Sequence, residues 1–118
     1  MTMAKGTHLE QDGALVVAKV QADKMTHQDA VELTDSLTEK LRFDGATRFV
    51  LNLEKVEFLS SACLGTLVNF LQDLEHVHGR IALANCQNDV AFLFKVTRLD
   101  SAFLMYDELD DACKAMKA

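Results

Sequence analysis

Val50-Leu51-Asn52-Leu53-Glu54-Lys55-Val56-Glu57-Phe58-Leu59-Ser60-Ser61-Ala62-Cys63-Leu64-Gly65 carries an apolar run into two serines, after which the hydrophobic spacing turns helical. Arg48 to Val56 reads as a strand with Phe49, Leu51 and Leu53 on one face and Val50 on the other. Apolar residues on both faces suit a buried, central strand. From Ser61 to His78, Leu64, Leu67, Val68, Leu71 and Leu74 form one helical stripe, and Gly79 stands where a glycine usually closes a helix. The two serines then fall at the carboxyl end of a parallel strand, where α/β proteins gather their functional groups. The helix start offers free N–H groups and the positive end of a dipole, so it favours negative charge. A hydroxyl there can carry a phosphoryl group without breaking the helix.

Upstream, Gly13 to Gln21 is Val-rich and follows the Asp12-Gly13 turn signal, which predicts a strand; Thr7 to Glu10 can pair with it as a hairpin. Thr26 to Phe43 reads as a helix that Asp44-Gly45 ends. Thr26 and Asp29 have capping-box spacing, and Ala30, Leu33, Leu37 and Leu41 share a face. Downstream, Arg80 to Cys86 is a third strand, Asn88 caps a helix reaching about Leu99, and Phe103 to Tyr106 is a short last strand. Asp107 caps a terminal helix with Leu109, Ala112, Cys113 and Met116 on one face. Strands alternating with helices this closely imply parallel pairing through right-handed crossovers.

The expectation is α/β: one domain over residues 1–118, core about 7–116, with a small mixed, mostly parallel sheet covered by about four helices. A chain of 118 residues, 49% of them hydrophobic, supports one core. Its net charge of −6 disfavours nucleic acid and anionic lipid, which need a basic field. No window approaches the roughly 18 apolar residues of a membrane span, and Met1 to Gly6 lacks a secretory h-region. Three widely separated cysteines, Cys63, Cys86 and Cys113, make neither a disulfide framework nor a zinc pattern. A cytoplasmic protein without membrane insertion, metal or cofactor is expected.

No Gly-rich phosphate loop, His-Glu-x-x-His or Gly-x-Ser-x-Gly elbow occurs, so catalysis is not expected. Cys63 near a helix start is either a low-pKa nucleophile or a small core residue, and no base is spaced to serve it. His76 and His78, two apart on a helix, face different directions and read as surface residues. Ser60 and Ser61 serve as caps, as a modification site, or as one of each; Asp23 is a turn acid or part of a surface. Val90 to Val96 is apolar nearly all round, leaving Phe92 either exposed as an anchor or buried under a loop.

The order of elements, and above all Val50 to Gly65, resembles the STAS family, typified by bacterial anti-sigma factor antagonists. The family's strand of the form V-L-D/N-L matches Val50-Leu51-Asn52-Leu53. Its Asp-Ser-Ser/Thr-Gly-Leu-Gly junction matches Ser60-Ser61-Ala62-Cys63-Leu64-Gly65, with Ser60 in place of the acid and Cys63 in place of the first glycine. The first strand-to-helix turn reads Val20-Gln21-Ala22-Asp23, with Val20 in place of a glycine. The resemblance implies phosphorylation at Ser61 and a partner surface of Asp23, Ser60, Ser61, Ala62 and Cys63. It also implies an anti-sigma factor that is itself a serine kinase as partner, a phosphatase that resets the serine, and a monomer or weak dimer. A STAS subunit of a signalling or lipid-transport assembly, without phosphorylation, is the alternative.

Overall fold

Val-rich and Leu-rich segments build a five-stranded sheet in the computed structural model, which describes residues 7–117. Thr7–Asp12 (β1) and Leu15–Val20 (β2) form an antiparallel hairpin, Asp12 opposite Leu15. Gly13, at a φ of +62°, opens its two-residue turn, a geometry that glycine adopts without penalty. Two residues, Lys24–Met25 (β3), then precede the helix His27–Phe43 (α1). Arg48–Asn52 (β4), Phe58–Leu59 (β5) and Ser61–His76 (α2) follow. Arg80–Ala84 (β6), Asn88–Val96 (α3), a 3-10 turn at Leu99–Ser101, Leu104–Tyr106 (β7) and Leu109–Lys117 (α4) complete the order. The sheet order is β1-β2-β4-β6-β7, and every pairing except the first is parallel. This is the mixed, mostly parallel sheet with four helices that the sequence predicts.

Alternation along the strands decides which helix packs where. Val16, Ala18, Phe49, Leu51, Ile81 and Leu83 point to the face covered by α1, α2 and α3. Leu15, Val50, Ala82 and Ala84 point to the other, where Ala112 and Met116 of α4 meet them. The alanines of β6 present a low surface to α4, whereas Phe49 and Phe70 fill the thicker face edge to face, 5.3 Å between centroids. Burying a Leu or Phe side chain contributes about 1.5–3 kcal/mol, so packing on both faces stabilises the sheet from whose carboxyl edge the connections leave.

Local chemistry corrects several predicted boundaries. β4 ends at Asn52, not Val56: Leu53 and Val56 are buried, but they lie in the connection beyond the ladder. β6 stops at Ala84 because Asn85 takes a left-handed conformation, φ +58°. The cap of α3 is Gln87, with Asn88 the first helical residue, and the helix stops at Val96 before left-handed Arg98. The Glu108 carbonyl accepts the Ala112 N–H that opens α4, so Glu108 is the cap and Asp107 lies one residue before it. Gly79 is not the left-handed residue ending α2. His78 is, at φ +57°, while Gly79 N donates to Leu74 O and His78 N to Glu75 O. The Thr26–Asp29 capping box is present in both directions.

Candidate functional site

Two connections meet at the carboxyl edge of the sheet. β3 and β5 pair in parallel as a separate two-stranded patch, Lys24 beside Phe58 and Met25 beside Leu59. Glu57 N and Phe58 N both donate to Asp23 O, at 2.7 and 3.3 Å, and Ser60 N donates to Met25 O at 3.4 Å. These bonds tie the turn before α1 to the turn before α2, so Asp23 and Ser61 share one edge. Two-residue strands carry no periodicity, and sequence reasoning missed both.

The two serines divide the work of the helix start. Ser60 is the cap of α2: its Oγ accepts the Cys63 N–H at 3.1 Å and its carbonyl accepts from Leu64 N. Ser61 is the first helical residue and is exposed, and its hydroxyl has no hydrogen-bond partner among the described residues. Ala62 next to it is exposed, and so is Asp23, which lies on the same edge level with Glu57. Cys63, expected in the surface, is instead buried beneath it with no accessible area. Burial, with the nearby Asp29 carboxylate adding to it, pushes its thiol from 9.0 up to about 12. The thiol therefore stays protonated and serves as packing. His76 and His78 are both exposed.

A second set of bonds fixes the neighbouring loop. Asn52, at the end of β4, is 3% exposed; its Oδ1 accepts from Glu54 N and from Asn85 Nδ2, each at 3.2 Å. Gln87 Nε2 donates to Glu54 O at 2.9 Å. The connection leading to Ser61 is thereby held against the connection leading to α3. Between them lies an open apolar groove of about 350 Å³ that runs from Phe58 and Ser61 to Phe92 and Val96. Phe92 is exposed and not buried under a loop; Phe58, its counterpart on the opposite wall, is a residue sequence reasoning passed over. An aromatic flanked by Glu57 and placed just before a helix cap was the only signal available for it.

A five-stranded mixed sheet whose carboxyl edge presents a serine at a helix start defines the class. The family model described as STAS domain matches residues 8–112, and the chain belongs to that family. A Thermotoga neapolitana protein, named as a candidate anti-sigma factor antagonist, is 30% identical over 73 residues. That match takes in 62% of this chain and 65% of the relative's length. An anti-sigma factor antagonist from Mycobacterium paratuberculosis superposes with a TM-score of 0.78 at 25% identity, covering 95% of this chain and 93% of its own. The anti-sigma factor antagonist SpoIIAA of Bacillus superposes in both states at 19% identity. Its unphosphorylated form gives a TM-score of 0.74 over 92% of this chain and 94% of its own, its phosphorylated form 0.73 over 92% and 98%. The chain is thus a STAS domain, similar in fold to the anti-sigma factor antagonists above. Among the described residues no helix is long and apolar enough to cross a membrane.

Proposed function

We propose that this chain is a regulatory binding module, not an enzyme: an anti-sigma factor antagonist whose edge around Asp23, Ser60, Ser61 and Ala62 docks an anti-sigma factor. Phosphorylation of Ser61 by that factor, acting as kinase, ends the contact, and a phosphatase restores it. The observation that carries this reading is the exposed Ser61 hydroxyl, free of any partner among the described residues while Ser60 alone caps α2. In the transfer, the Ser61 oxygen attacks the ATP γ-phosphorus, ADP leaves, and the hydroxyl proton passes to a base of the kinase.

The added group brings about −1.5 to −2 charges at pH 7. In the free module it stays hydrated and lies near the α2 start, where a negative charge is favoured. Beneath a docked partner it would be dehydrated beside Phe58, at a cost of several kcal/mol per ion. One additional exposed ion pair with the partner returns only about 0–1 kcal/mol. Dehydration wins, and the partner leaves.

Ser61→Ala and Ser61→Asp are to be compared for binding to the kinase-type anti-sigma factor, with phosphopeptide mapping after incubation with ATP. The switch predicts phosphate at Ser61, tight binding by the Ala variant and weak binding by the Asp variant. Equal binding by both, with no phosphate gained, would support a constitutive STAS subunit of a larger assembly. The Ser60 that stands where the family junction carries an acid is the feature that favours that second reading.

A further inference from the structure

We propose that the groove between Phe58 and α3 receives a basic amphipathic helix of the partner, so that docking extends from Ser61 across to Val96. The inference rests on the reading of the Ser61 edge as a docking surface and adds what fills the space next to it. Phe58, Phe92 and Val96 are 59%, 65% and 57% exposed, although they come from two separate elements that converge on one strip. α3 spends its inner face on the core, where Val90 and Phe94 are buried and Phe94 meets Phe103 edge to face at 5.6 Å. Phe92 and Val96, four residues apart on the outer face, add little to that core. An exposed apolar strip beside a functional residue marks an interaction site.

Its shape and charge select the occupant. Both phenylalanine rings stand out of the walls more than half wet, so a small molecule lodged between them would leave most of their surface in water, unlike an enclosed ligand site. A helix laid along the strip covers both, using apolar side chains at the i, i+3 and i+4 spacing of helix-in-groove recognition. The charged side chains lining the groove are Glu57 on one wall and Asp89 on the other. Such a rim favours Lys or Arg flanking the apolar stripe. A second copy of this chain in a two-fold contact would set these carboxylates against their own copies, and an anionic bilayer would meet the same repulsion.

Two synthetic helices of about 16 residues, long enough to hold helical structure, serve as probes: one with a leucine stripe on a lysine background, the other with glutamate replacing lysine. Each is titrated into the full-length, unphosphorylated, 15N-labelled chain. The lysine peptide is expected to move the amides of Phe58, Ser61, Phe92 and Val96, and to weaken severalfold as salt is raised. Phe58→Ala and Phe92→Ala are expected to weaken it about tenfold each while leaving the remaining amide spectrum unchanged. Glu57→Lys combined with Asp89→Lys is expected to reverse the preference between peptides. Equal binding of both peptides, shifts on another face, unchanged binding by the alanine variants, or tighter occupation of the same amides by decanoate would each overturn the proposal. The two readings fail separately. If the lysine peptide binds as expected but Ser61→Ala and Ser61→Asp hold the anti-sigma factor equally, the groove stands and the switch falls. If the switch operates and Phe92→Ala and Phe58→Ala hold that factor as tightly as the unaltered chain, the groove falls.

Discussion

Ser60 Oγ accepts the backbone N–H of Cys63 at 3.1 Å, and that single bond lets the next residue, Ser61, keep its hydroxyl free. A cap of this kind contributes about 1 kcal/mol. Ser60→Ala is therefore expected to lower stability by about 1 kcal/mol, seen as an earlier urea midpoint with an unchanged slope. Ser60→Asp keeps an oxygen in place and adds a negative charge at the helix start, so it should match or exceed the parent. An Ala variant as stable as the parent would mean that Ser60 does not cap α2 in solution.

Asn52 holds the floor of the same edge. Replacing it with Leu removes one acceptor that serves both Glu54 N and Asn85 Nδ2. Both bonds are part-buried, so their donors can turn to water, and losing each costs about 0.5–1.5 kcal/mol. Asn85→Gly, by contrast, suits the left-handed backbone there, φ +58°, and should lose less. Chemical denaturation ranks the pair, and amide exchange at Glu54 and Gln87 should quicken in Asn52→Leu alone. A larger loss in Asn85→Gly would contradict the assignment of Asn52 as the shared acceptor.

Which parts were legible in the sequence follows from the range of the interactions involved. Phe49, Leu51 and Leu53 alternate with Val50, and Leu64, Leu67, Leu71 and Leu74 repeat helically; both patterns are local, so the sheet and α2 could be read directly. The Thr26–Asp29 box and the serines at the start of α2 are local as well. Leu53 and Val56 misled because a connection tucked into the core is as apolar as a strand. The β3–β5 patch escaped because its bonds join Asp23 and Met25 to residues more than thirty positions away. For the same reason the groove could not be foreseen: Phe58 and Phe92 line one groove only once the fold has set β5 beside α3. The exposed serine at the helix start was legible, and the groove next to it was not.

At the far end of α2, His78 and Gly79 exchange the roles expected of them. A Cβ on Gly79 would stand 2.8 Å from Thr47 O and would press into the Leu74 side chain, Cγ at 2.8 Å. Thr47 O already accepts from Arg80 N at 2.9 Å and cannot easily retreat. Gly79→Ala is expected to cost about 1–3 kcal/mol, as overpacking does. His78→Gly relieves a left-handed residue whose Cβ is disfavoured by about 1–2 kcal/mol, less the extra freedom glycine gives the unfolded chain, so a neutral or stabilising change is expected. Urea titration of both variants checks this. Loss on His78→Gly with tolerance of Gly79→Ala would restore Gly79 as the helix-ending residue.

Cys63 gives a pH signature to the packing beneath Ser61. Burial is the main cause that raises its thiol from 9.0 to about 12, with Asp29 contributing. The folded chain thus keeps a proton that the unfolded chain releases, and the unfolded state gains as pH passes 9. The stability contributed by this thiol is complete below pH 9 and declines between pH 9 and about 12. Cys63→Ala removes that dependence, so its stability should fall less steeply than the parent's above pH 9 even though it starts lower from the small cavity. Iodoacetamide at pH 8 gives an independent reading, since alkylation requires the thiolate and access. Cys63 should resist modification until denaturant unfolds the chain. Rapid alkylation of Cys63 in the folded protein would place it at the surface with Ser61, and a reactive thiol would then have to be added to the docking edge.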